Sequence, residues 1–110
     1  MTIIFNDKLN ALSDVLRELS VMEPDEIAHK LNEAGIKGKA RACSFCPMAN
    51  YLNATLGGGH FVNFEKIYVL DEAYDLDEDM HVDIPDSVRK FVKRFDAGKY
   101  LFLDEGKPIE

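Results

Sequence analysis

Three consecutive glycines, Gly57, Gly58 and Gly59, constrain this chain more than any other feature. Glycine loses more backbone entropy on ordering than any other residue, so a helix entering the run must end there and the chain must turn. Before the run, apolar residues recur at helical spacing. After it, strand formers cluster: Phe61, Val62 and Phe64, then Ile67, Tyr68, Val69 and Leu70 beyond Glu65-Lys66. This predicts a short hairpin, with a third strand around Met80 to Ile84 that can return to it.

The helical half is punctuated by prolines and glycines. Asn6 can cap a first helix from about Asp7 to Ser20, whose Leu9, Leu12, Val15, Leu16 and Leu19 share one face. Pro24 opens a second, with Asp25 and Glu26 at its positive end, a stripe of Ile27, Ala28, Leu31 and Ala34, and Gly35 as its stop, behind which Ile36 folds back. Lys37 to Ala42 carries Lys37, Lys39 and Arg41 without periodicity and reads as an exposed basic connector. A third helix starts at Pro47 and buries Met48, Tyr51, Leu52 and Leu56. Pro85 opens the last, with Val88, Phe91, Val92 and Phe95 inside and Gly98 as its end. The apolar tail Tyr100 to Leu103 is expected to dock on the core. With 110 residues, 46% of them hydrophobic, the chain suits one core. The expectation is a single α+β domain over residues 1–110, mostly helical with about four helices and a small antiparallel sheet of two or three strands.

Charge narrows the partners. The net charge of -7 repels phosphate backbones, so proteins or basic ligands are expected in preference to nucleic acid. The start, Met1 to Asp7, lacks a basic n-region, and no apolar stretch approaches the roughly 20 residues that cross a bilayer. Cysteines only three positions apart cannot staple distant segments, which fits a reducing, cytoplasmic setting. Two surfaces stand out. An acidic loop over about 71–79 holds Asp71, Glu72, Asp75, Asp77, Glu78 and Asp79, whose mutual repulsion a basic protein partner would relieve. The outer face of the last helix holds Arg89, Lys90, Lys93 and Arg94, a second possible surface whose plainer reading is solvation.

Cys43 and Cys46 are the candidates for reactive chemistry. Cys46 precedes a first-turn proline and so sits at the positive end of a helix, where a thiol ionises more easily. Thioredoxin-like enzymes place C-x-x-C there, but behind a buried strand, which Gly38 to Ala42 cannot supply. Zinc needs four ligands; Cys43, Cys46 and His60 could contribute if the third helix folds back, yet no second half-site exists. Zinc therefore stands as an alternative to having no cofactor. Asp75 to Asp79 resembles a calcium-loop opening, but Met80 occupies the position that demands glycine and Asp86 the one that demands glutamate. The triple glycine lacks a following helix or Lys-Ser/Thr pair, and no nucleophile–base pair or G-x-S-x-G occurs, so catalysis is disfavoured.

Three helices followed by a hairpin is also the succession of winged-helix domains. As a DNA-binding regulator such a fold would need cations on the helix Pro47 to Leu56, which has none, so a winged-helix-like protein binder agrees better with the charges. Cys46-Pro47-Met48-Ala49-Asn50-Tyr51-Leu52, and Ile84 to Val88 with Phe91 to Tyr100, are similar to segments of short proteins from actinobacteria and their phages. That resemblance implies a recurring Cys-Pro step with a replaceable first cysteine, a cytoplasmic or phage-encoded origin, and a small regulatory or host-interaction role; it carries no activity. The expected function is an acidic, non-enzymatic, protein-binding module, with a thiol-redox or zinc protein and a DNA-binding regulator as alternatives.

Overall fold

The computed structural model describes residues 2–39, 45–70 and 79–104, with the side chains of the first helix described from Lys8 onward. Helix α1, Thr2–Ser20, starts before the expected cap at Asn6. No glycine or proline interrupts it, and a helix once nucleated gains a hydrogen bond for each residue added, so it extends through Asn6. Leu12, Leu16 and Leu19 are buried, with Leu9 and Val15 packed at the edge of the core.

Helix α2, Pro24–Glu33, is opened by Glu23, whose backbone N–H donates to Glu26 Oε1 at 2.8 Å. It closes at Gly35 with φ +76°: the Ile36 N–H reaches Leu31 O at 2.9 Å and the Gly35 N–H reaches Asn32 O at 3.0 Å. This closure needs a left-handed residue, which glycine supplies without a Cβ penalty. Ala34, expected on the buried stripe, already belongs to the turn and is exposed. Helix α3, Pro47–Leu56, buries Met48, Ala49, Tyr51 and Leu52 and ends at Gly57 and Gly58, with φ +82° and +73°. Helix α4, Asp86–Asp96, buries Val88, Phe91, Val92 and Phe95.

Strands β1 (His60–Val62), β2 (Lys66–Val69) and β3 (His81–Asp83) form an antiparallel sheet in the order β1-β2-β3. The period-two alternation puts His60, Val62, Ile67 and Val69 on the buried side and lines up Phe61, Tyr68 and His81 across the other. Asn63 Oδ1 accepts from the Glu65 and Lys66 N–H groups at 2.8 and 2.7 Å. This Asx-type turn ends β1, so Phe64, expected in the strand, lies exposed in the loop.

Together these elements make the expected α+β fold around one core. The succession of three helices and a hairpin is present, but α2 packs chiefly on α4, and α3 on β1 and α1. A close α2–α3 pair, which would present α3 as a reading helix, is therefore not how α2 and α3 are used.

The connector after α2 is not a free basic strand. Gly38 is buried, its N–H donates to Leu103 O at 2.8 Å, and it bridges Asp104 in parallel. Its Cα lies so close to the main chain of Phe45, Cys46 and Pro47 that an added Cβ would overlap all three. Glycine is required here by proximity. Gly38→Ala is expected to cost about 2–3 kcal/mol in denaturant unfolding, from forced backbone displacement. An unchanged midpoint would show that the crossing is looser than the structure has it.

Candidate functional site

Cys46 is the N-cap of α3, and its Sγ accepts the Ala49 N–H at 3.4 Å. The position is the one the Cys-Pro step implies, yet the residue is only 4% exposed, so the helix end orders the sulfur without presenting it to solvent. Cys43 lies outside the described residues. His60 follows the opposite end of α3, where its Nδ1 lies 2.8 Å from Asn53 Oδ1. A ten-residue helix is about 15 Å long, so α3 holds Cys46 and His60 apart and the suggested joint metal site of Cys46 and His60 does not form. His29 stacks on Phe102 and His81 lies against Tyr68. Among the described residues no three His, Cys, Asp or Glu side chains gather as a metal site would require.

His60 is the one buried polar or charged side chain among the described residues, 2% exposed. Strand alternation put it there, in phase with Val62. Because Asn53 Oδ1 can only accept, Nδ1 carries the proton and Nε2 keeps its lone pair. The Asn53 bond uses Nδ1 and leaves Nε2 for another partner. The residue borders a cleft of about 320 Å³, with Lys8, Leu56, Gly58, Val69 and Leu70 among its other walls. Burial, and secondarily the nearby Lys8 charge, lower the His60 pKa from 6.5 to about 4.

The sign of the linkage is definite. Between pH 6.5 and about 4 the unfolded chain binds a proton at this residue and the folded chain does not, so His60 costs stability as pH falls through that window. Comparing urea unfolding at pH 7 and pH 4.5, the native chain should lose roughly 1–2 kcal/mol more than His60→Gln. Equal losses in the two chains would mean that His60 is not held neutral.

Of the acidic candidates, Asp71, Glu72, Asp75, Asp77 and Glu78 lie outside the described residues. Asp79 is exposed in the turn before β3. The basic candidates on α4 are engaged within the chain. Arg89 Nε donates to Phe64 O at 2.8 Å and its Nη1 donates to Asp86 at 2.9 Å; Lys90 lies 3.4 Å from the same carboxylate. Lys93 sits over the Phe64 ring, 5.5 Å from its centroid, and Arg94 is 3.6 Å from Asp25. Exposed pairs of this kind are worth little individually, and two carboxylates offset only part of the four positive charges on this face.

Sequence reasoning missed an apolar patch. The tail does dock, but by alternate residues: Tyr100 and Leu103 are buried, while Leu101 and Phe102 are 53% and 42% exposed in a 3₁₀ turn, Leu101–Leu103. Phe45, 62% exposed, flanks the same crossing, because the Lys39 N–H donates to Phe45 O at 2.8 Å and Lys37 Nζ to Phe102 O at 2.6 Å. Asn50 Nδ2 ties Lys37 O and Phe45 O together at 2.6 and 3.1 Å. No local periodicity announces such a patch, since chain crossing assembles it.

Compared with family models, curated proteins and solved structures, the chain matches none. No helix among the described residues is long and apolar enough to cross a membrane.

Proposed function

We propose that this chain is a small, acidic, non-enzymatic binding module, acting in the cytoplasm, whose partner is another protein. The observation that carries the reading is the grouping of Phe45, Leu101 and Phe102 at the Gly38 crossing. They are three of the five large hydrophobics exposed among the described residues. Apolar side chains held in fixed positions on a surface are what a protein interface uses as anchors. Phe102 is braced by His29 and Tyr100, with ring centroids 6.1 Å away in each case, so little ordering is left for a partner to impose. Lys37 and Lys39 rim the patch and set it off from the acidic remainder of the chain. The acidic run through residue 79 supplies long-range attraction for a basic region of the same partner. A regulatory or host-interaction role accords with this arrangement.

Affinity capture from the native host, followed by identification of what co-purifies, tests the reading when the native chain is compared with the double substitution Leu101→Ser, Phe102→Ser. Leu101 is mostly exposed and Phe102 loses only its ring contacts with His29 and Tyr100, so the chain should still unfold cooperatively with a melting temperature a few degrees lower, while retention of a defined partner drops about tenfold or more. The same proteins retained equally by both chains would refute the patch. With that partner in hand, Asp75→Asn, Asp77→Asn and Asp79→Asn together should slow association and flatten its salt dependence, while dissociation stays nearly unchanged. Unaltered association at low salt would exclude the acidic run from the contact.

A further inference from the structure

We propose that the cleft over His60 is a binding site for a small carboxylic acid with an apolar body and a hydroxyl group. Three separate features converge there. Lys8 lines the cleft, close enough for its charge to act on the His60 ring. Its ammonium is a single positive charge facing a largely apolar space, which suits one carboxylate and falls short of what a phosphate dianion needs. His60 is held neutral with its Nδ1 proton committed to Asn53, so Nε2 offers a fixed acceptor at the cleft, and a hydroxyl is the ligand group that would donate to it. Ala11, Leu56, Val69 and Leu70 supply the apolar wall.

Size and backbone agree. About 320 Å³ lies near the lower end of the roughly 300–1,000 Å³ spanned by small-molecule pockets, which favours a single ring or short chain. Gly57 and Gly58 both take positive φ, and a Cβ at either would meet nothing within 4 Å. The glycines there are a matter of backbone conformation, and they leave the mouth unobstructed. A cation is a poor occupant, because Lys8 would repel it and His60 alone could ligate it. The site is independent of the apolar patch, since α3 separates the two.

Nuclear magnetic resonance titration of the full chain tests this with three probes: para-hydroxyphenylacetate, phenylacetate, and para-hydroxyphenylacetamide. The first should give saturable shifts at the His60 ring and the Gly58 amide. Phenylacetate, lacking the hydroxyl, and the amide, lacking the charge, should each bind on the order of tenfold more weakly. Lys8→Met, a substitution at an exposed helix position, should weaken para-hydroxyphenylacetate about tenfold while the remaining spectrum is preserved. His60→Gln, if it folds, should narrow the difference between the hydroxylated and plain acids. Absence of saturable shifts with the native chain, or equal affinity in Lys8→Met, would overturn the proposal.

Discussion

The approach of Gly38 to the start of α3 is the contact on which the rest of the molecule depends. Only a residue without a side chain lets the connector pass against the main chain of Phe45, Cys46 and Pro47. That closeness brings the Gly38 N–H onto Leu103 O and the Lys39 N–H onto Phe45 O, so one crossing fastens the connector to both the tail and the α3 entry. Three consequences follow together. Cys46 is covered, the C-terminal turn is held against α2, and Phe45 is carried to the same region as Phe102. The Gly38–Leu103 backbone bond joins segments more than sixty positions apart and so closes a large loop, an ordering that buried Leu103 and Tyr100 help to offset by anchoring the tail at the same place.

Helix α3 then acts as a spacer of fixed length. Its N-terminal end holds a covered thiol and its C-terminal end, through Asn53, orients a neutral imidazole. Because Met48, Ala49, Tyr51 and Leu52 are buried between these ends, the helix cannot bend to bring them together without opening the core. The zinc reading, which joined Cys46 to His60, relied on such an approach. Electrostatics follow a similar separation. Asp86 and Asp25 offset part of the positive charge of α4 locally, so its outer face is less basic than its four cations alone suggest.

Local signals made most of the fold legible. Pro24 and Pro47 begin their helices, Pro85 immediately precedes the last, and Gly35 and Gly98 close theirs with φ +76° and +89°. These are short-range effects of φ restriction and missing Cβ atoms, readable from neighbours alone. The burial of His60 was not among the expectations, because the hairpin was expected to begin at Phe61; β1 starts one residue earlier, and alternation then places His60 beside Val62 on the inner side. What stayed hidden depends on contacts distant in sequence. Nothing around Gly38 distinguishes a crossing glycine from a loop glycine, and Lys37 and Lys39 pointed to solvent. Asn63 likewise gave no sign that its carbonyl would take two backbone donors and expel Phe64 from the strand.

The exposed pair in the tail is set by register. The Leu103 N–H donates to Tyr100 O at 2.9 Å and the Asp104 N–H to Leu101 O at 3.0 Å, fixing a tight turn in which Tyr100 and Leu103, three apart, face the same way. Tyr100 stacks on Phe91 at 5.4 Å and donates its hydroxyl to Asp25 at 2.7 Å, while Leu103 is fully buried. Shifting the turn to bury Leu101 and Phe102 would forfeit all of these contacts. The fold thus demands apolar residues at 100 and 103 and makes no equal demand at 101 and 102. Polar residues at those two positions would satisfy the same backbone bonds and dock the same turn. The exposed faces of Leu101 and Phe102 are left over once the turn and the ring stacking on His29 and Tyr100 have been accounted for, and they are what the proposed protein-binding surface would use.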